Sequence, residues 1–141
     1  MLKLRSARDH LLSSPLGLKA EKLLTFAERG QVTAYRGDHG QAFEINYTAH
    51  LIVTDYTGAP EDLLFVALQW LQARCPGAEA DAIKFHVDIV NHKSADISLS
   101  LDLTEIVAAH TDEAGATRLA PQADADALAI DMGNLYPDLP G

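Results

Sequence analysis

Between residues 42 and 55, Phe43, Ile45, Tyr47, Ala49, Leu51 and Val53 recur at every second position. Glu44, Asn46, Thr48, His50, Ile52 and Thr54 fill the places between them. That alternation predicts one strand with a covered face and a wet face. The run is well beyond the roughly 5–6 residues of an ordinary strand, so the other strands are expected to pair around it. A second alternation sets Ile97, Leu99, Leu101 and Leu103 against Ser98, Ser100, Asp102 and Thr104, and Ile106 and Val107 carry it to about residue 108. Phe85, Val87 and Ile89 alternate with His86 and Asp88 just before it. Asn91-His92-Lys93-Ser94 is the turn between them, which predicts a hairpin with one wet face.

Helical spacing occurs twice. Leu64, Ala67, Leu68 and Leu71 form a stripe of period 3.6, widened by Leu63, Val66 and Trp70. Pro60, Glu61 and Asp62 suit its first turn, and Pro76 and Gly77 predict an end near Cys75. Residues 2–13 carry Leu2, Leu4, Leu11 and Leu12 and close at Ser13-Ser14-Pro15, which predicts a short amphipathic helix. From 18 to 35, Leu24 and Phe26, then Val32 and Ala34, flank Glu28-Arg29-Gly30. A hairpin with its turn at the glycine is the preferred reading, and a helix over 18–29 is the competing one. Gly37-Asp38-His39-Gly40 is a loop leading into the long strand.

After Thr111 the composition changes. Asp112-Glu113-Ala114-Gly115 reads as a turn, and the remaining residues to Gly141 are rich in Ala, Asp, Pro and Gly. Leu128, Ile130, Met132, Leu135, Tyr136 and Leu139 are too scattered for a core of their own. The expectation is one α+β domain over 1–108 and an acidic arm over 109–141, extended or disordered alone or docked on a neighbour. The order is α-β-β-β-α-β-β: a mostly antiparallel sheet of about five strands with helices packed on one face.

The 141 residues suffice for one domain, and 48% hydrophobic against 22% charged residues is ordinary for a globular protein. No apolar run approaches the ~20 residues of a membrane helix, and the start of the chain does not read as a secretory signal. Cys75 is the only cysteine, so no internal disulfide is possible and a reducing compartment is expected. The net charge of −9, with 20 acids against 11 Lys and Arg, argues against a surface that grips phosphate.

Chemistry finds few footholds. No phosphate-loop pattern, C-x-x-C or H-x-x-x-H is present. His86 and Asp88 point the same way along one strand, His92 comes next, and His50 lies on the wet face of the long strand. A metal site of His50, His86 and Asp88 is the sharp reading, and a solvated or subunit-facing polar face is the preferred one. Cys75 sits at a helix C-terminus, where the dipole raises a thiol's pKa, so it reads as a spectator. Trp70 reads as core or interface, and Asp55 as the start of an ordinary turn. A protein-binding domain is expected, with no catalytic residue and no cofactor.

The blocks LIVTDYTG (51–58), Trp70-Leu71, F-x-V-D-I-x-N-H (85–92) and D-I-S-L-x-L-x-L-T-E (96–105) stand in one order. With them the chain, from about Leu4 to Val107, resembles the tail completion protein R (GpR) family of peduovirus-type contractile-tailed phages. The resemblance implies a virion assembly protein that caps the head-proximal end of the tail tube, ends its polymerisation and helps join tail to head. It implies a tail-terminator-like fold, a homo-oligomer in a hexameric ring, and the tube protein and a head-side connector as partners. On this reading DNA is expected to pass through without tight binding, and no membrane partner is expected. The expected location is the head-proximal end of the virion tail, after assembly in the host cytoplasm. On this reading Glu44, Asp88, Asp96 and Asp102 are candidates for a channel wall. Asp38, His39, Tyr56, Thr57, Gly58, Asn91, His92 and Lys93, in the loops at 37–41, 56–60 and 91–95, are candidates for partner contact. The arm is a candidate clasp on the adjacent subunit. Another head–tail connector or minor tail protein is the alternative, and a small metal-dependent enzyme a distant one.

Overall fold

The computed structural model describes residues 1–35 and 41–122. Helix α1 (Leu2–Ser13) is followed by a single 3₁₀ turn (Ala20–Lys22), then β1 (Leu23–Tyr35), β2 (Gln41–Tyr56), α2 (Pro60–Arg74), β3 (Lys84–Asn91), β4 (Ser94–Thr111) and β5 (Thr117–Gln122). The fold is α+β with an antiparallel five-stranded sheet. The path runs β1-β2-β4-β3, and β5 pairs with β4 as well. Strand β4 pairs along one side with β2, from Ala95 to Ala109. Its other side is shared end to end: β3 takes Ser94–Ser100 and β5 takes Ile106–Thr111.

The core lies between the helices and one face of the sheet. Tyr47, Ala49, Leu51 and Val53 of β2 and Ile97, Leu99, Leu101 and Leu103 of β4 are buried there. Leu4, Ala7 and Leu11 of α1 and Leu63, Val66, Trp70 and Leu71 of α2 pack on them. Each such aliphatic side chain contributes about 1.5–3 kcal/mol on burial. In α2 the buried seam is therefore 63/66/70/71, while Leu64, Ala67 and Leu68 of the expected stripe are half-buried beside it. Trp70 is a core residue whose indole Nε1 donates to Ser6 Oγ at 3.0 Å, tying α2 to α1. Pro60 stands at the first position of α2, and the Cys75 N–H closes its last turn on Leu71 O at 2.7 Å.

Two sequence expectations are corrected. Glu28-Arg29-Gly30 is not a hairpin turn, and 18–29 is not a helix; β1 is a single strand. Glu28 pairs with Thr48 and Gln31 with Asn46, so Arg29 and Gly30 together face Tyr47 in a bulge, with Arg29 at φ 56°. The reason is pairing: one long strand satisfies the whole edge of β2, which a hairpin would leave half bare. Leu24 and Phe26 accordingly fall on the helix-free face, where both are exposed.

The second correction concerns the order, which is α-β-β-α-β-β-β. The fifth strand comes after residue 108, not before residue 36. A boundary after 108 falls inside β4, and 112–116 turns the chain back into β5. Asp112 organises that turn: its Oδ1 accepts the Ala116 N–H at 2.9 Å, and its carbonyl accepts the Gly115 N–H at 3.0 Å, with Gly115 at φ 87°.

Candidate assembly surfaces

The helix-free face of the sheet gathers the acids picked out for a channel wall. Register places Glu44 of β2 beside Ile106, Asp102 of β4 beside Thr48, and Asp96 of β4 directly opposite Asp88 of β3, all on the face away from the helices. Their hydrogen bonds fix three of them further. Asn46 Nδ2 donates to Glu44 Oε2 at 3.1 Å, Thr48 Oγ1 donates to Asp102 Oδ1 at 2.7 Å, and the Asp55 N–H donates to Asp96 Oδ1 at 3.0 Å. Glu28 joins this face, beside Thr48, with its Oε2 2.7 Å from His50 Nε2. It was hidden from sequence reasoning because a turn was expected there. Lys84 and Arg118 stand at the margins of the same face.

The proposed metal ligands do not meet. His50 faces Ser100 of β4 and His86 faces Ser98 on the other side of that strand, so β4 separates them by two strand spacings, about 9–10 Å. His50 is held by Glu28 and stacks on Phe26, with ring centroids 4.6 Å apart; His86 pairs with Asp88 at 2.9 Å. Among the described residues no three His, Cys, Asp or Glu side chains converge.

One end of the sheet collects two of the candidate loops. Tyr56 pairs with Ala95, which sets 56–60 next to the 91–94 turn. In that turn Asn91 Oδ1 accepts the Lys93 N–H at 2.8 Å and the Ser94 N–H at 3.0 Å, leaving His92 and Lys93 exposed. Tyr56 is buried and lies over Gly58: a Cβ on Gly58 would stand 2.6 Å from the phenol oxygen. Thr57 and Gly58 remain exposed. Burial, then Asp62, pushes the Tyr56 phenol above its usual range.

Asp55 enters this end at φ 53°, a region costly for a side chain other than glycine. Its carboxylate pairs with Lys22 at 2.9 Å while its N–H reaches Asp96. Lys22 and Asp55, with Leu16, Gly17 and Leu18, bound an open groove of about 370 Å³. Asp55 is thus more than the start of an ordinary turn: it locks the 3₁₀ segment to β4. Asp38 and His39 lie outside the described residues. The strand ends they join, Tyr35 and Gln41, stand at the opposite end of the sheet beside Ala109.

A further group was missed from the sequence. Glu105 lies on the buried face of β4 and is 7% exposed. Its Oε1 accepts the Leu2 N–H at 2.8 Å and its Oε2 the Lys3 N–H at 3.3 Å, and the Tyr47 hydroxyl also donates to Oε2. Burial first, and the Glu105 bond second, hold the Tyr47 phenol far above its ordinary pKa. A carboxylate at the positive end of α1 satisfies helix N–H groups that no acid in its own first turn serves. The signal was present: Glu105 occupies the apolar phase set by residues 97 to 103.

Comparison with known proteins shows the family. A profile of the P2 phage tail completion protein R (GpR) family matches residues 1–125. Tail completion protein R of Escherichia phage P2 is 34% identical over 113 residues, covering 74% of this chain and 72% of that protein. No solved structure matches the chain significantly. The ordered sequence blocks fall on the long strands, on α2 and on the loop end of the sheet, and the chain belongs to the P2 phage tail completion protein R family.

Proposed function

We propose that this chain is a structural protein of phage tail assembly that caps the head-proximal end of the tail tube, stops its growth and helps join tail to head. The observation that carries the reading is family membership across residues 1–125. The geometry supports it in two ways. The helix-free face sets Glu44, Asp88, Asp96 and Asp102 on one wall, with Glu28 among them. A wall of that charge turned toward the axis of a ring of copies lets DNA slide past without sticking. The loop end, with Thr57, Gly58, His92 and Lys93 exposed, offers contact with the tube or the connector.

In this reading the copies form a hexameric ring at the head-proximal end of the tail, built in the host cytoplasm, with the tube protein and a head-side connector as partners. No catalytic step is assigned to it. Electron microscopy of particles made without this gene tests the proposal. Overlong or irregular tails without heads are expected. Tails of normal length that fail to join heads would move the role to the connector side, and normal particles would overturn the reading.

A further inference from the structure

The sheet is far longer than its roof of helices. β4 has 18 residues, about 60 Å of strand, whereas α1 and α2 have 12 and 15 residues, about 18 and 22 Å of helix. α1 starts at Glu105, which caps it, and its Leu11 lines a core void with Leu51 and Leu99. It therefore runs from the Glu105 row toward the loop end, and Ile106–Thr111 lie beyond its first turn.

The alternation of the strands continues past that point. Register sets Val32 beside Ile45, then Phe43, Val107 and Pro121 in one row across β2, β4 and β5, and Leu119 two residues before Pro121. All six are apolar and in the phase of the helix side, and Val32 and Leu119 are 68% and 64% exposed. A second strip of this kind lies on β3, toward the other end of the sheet. Phe85, Val87 and Ile89 pair with Leu99, Ile97 and Ala95, which are buried on the helix side. Val87 packs against the core, yet Phe85 and Ile89 are 57% and 78% exposed.

We propose that the first strip of one copy receives the β3 strip of the next copy, head to tail. The inference rests on the reading above that copies of this chain assemble in a ring, and it names the surfaces they use. Two unlike strips at opposite ends of one sheet suit such a contact, because each copy that uses one strip keeps the other for its next neighbour. Neither strip carries a charge, so copies of net charge −9 meet there without like charges in the contact. The rims are opposite in sign: Arg29 of the bulge and Arg118 of β5 border the first strip, while Asp81 and Asp88 outnumber Lys84 beside the second. Both strips are on the helix side, so the contact leaves the acidic face uncovered.

Sedimentation of the purified full chain, without tube or connector, tests it. The unaltered chain is expected to assemble. Val32→Asp and Ile89→Asp, both at exposed positions, should each weaken self-association at least about a hundredfold while the circular dichroism of the folded chain is kept. Leu119→Asp, on β5, should act as Val32→Asp does. Mixed one to one, Val32→Asp and Ile89→Asp should form a dimer and stop, because each retains the strip the other has lost. Variants that assemble like the unaltered chain would overturn the proposal, and so would a mixture that stays monomeric. A lower unfolding midpoint in Val32→Asp with unchanged assembly would overturn it too, by showing that the chain covers this strip itself. An unaltered chain that is monomeric at every concentration would also overturn it, yet would leave the capping role, read from particles made without the gene, standing.

Discussion

Glu105 shows how much one residue decides. It joins β4, β2 and the start of α1 through Tyr47, Leu2 and Lys3. Glu105→Ala strands two helix N–H groups and a phenol, and is expected to cost about 2–4 kcal/mol in urea unfolding; Glu105→Gln, keeping one acceptor, should cost about half. Tyr47 adds a pH signature. The unfolded chain releases the phenol proton near pH ~10, whereas the folded chain keeps it. Above about pH 10 the unfolded state therefore binds fewer protons and stability falls, by about 1.4 kcal/mol per pH unit; below it the contribution is fully present. Tyr47→Phe should flatten that fall in urea midpoints taken across the alkaline range, while Tyr35, Tyr56 and Lys22, raised in the same direction, act equally in both proteins. At the loop end, Gly58→Ala drives a methyl into the buried Tyr56 ring and is expected to cost about 1–3 kcal/mol.

At the scale of elements, the alternations in β2, β3 and β4 and the helix of residues 60–74 were legible because each carries its own period and its own stop signals. β1 was not. Its Glu28-Arg29-Gly30 has the composition of a turn, and only the unpaired edge of β2 makes the chain run straight through it as a bulge. The bulge keeps a local cost at Arg29, whose φ of 56° suits glycine. Arg29→Gly is expected to raise stability by roughly 0.5–1 kcal/mol, read as a higher denaturant midpoint with an unchanged slope. No change, or a loss, would mean that the Arg29 side chain itself stabilises the bulge.

At the scale of the molecule, the sheet has two unlike faces, one roofed by helices and one polar and acidic. If the acidic face lines a channel, Glu44→Lys, Asp88→Lys and Asp102→Lys together should slow DNA ejection several-fold while particles still assemble. Asp96 is left out because its carboxylate holds the Asp55 N–H. Ejection at the normal rate from such particles would remove the channel assignment. The expected clasp on an adjacent subunit is better tested by a cut after Gln122 than at Ala109, since the shorter chain also loses β5 and the end of β4.

The sequence by itself determined which residues are covered and which are wet within β2 and β4, where α2 begins and ends, and, through its ordered blocks, the family. Those are properties of period, local stop signals and residue identity, which need no distant partner. Tertiary structure decided the rest. It made β1 one strand, set β3 and β5 on the same side of β4, kept His50 from His86, and turned Glu105 from a charge in an apolar phase into the cap of α1. Each of these depends on which residues face one another across the sheet or across 100 positions of chain, and register is fixed only when all the strands pair at once.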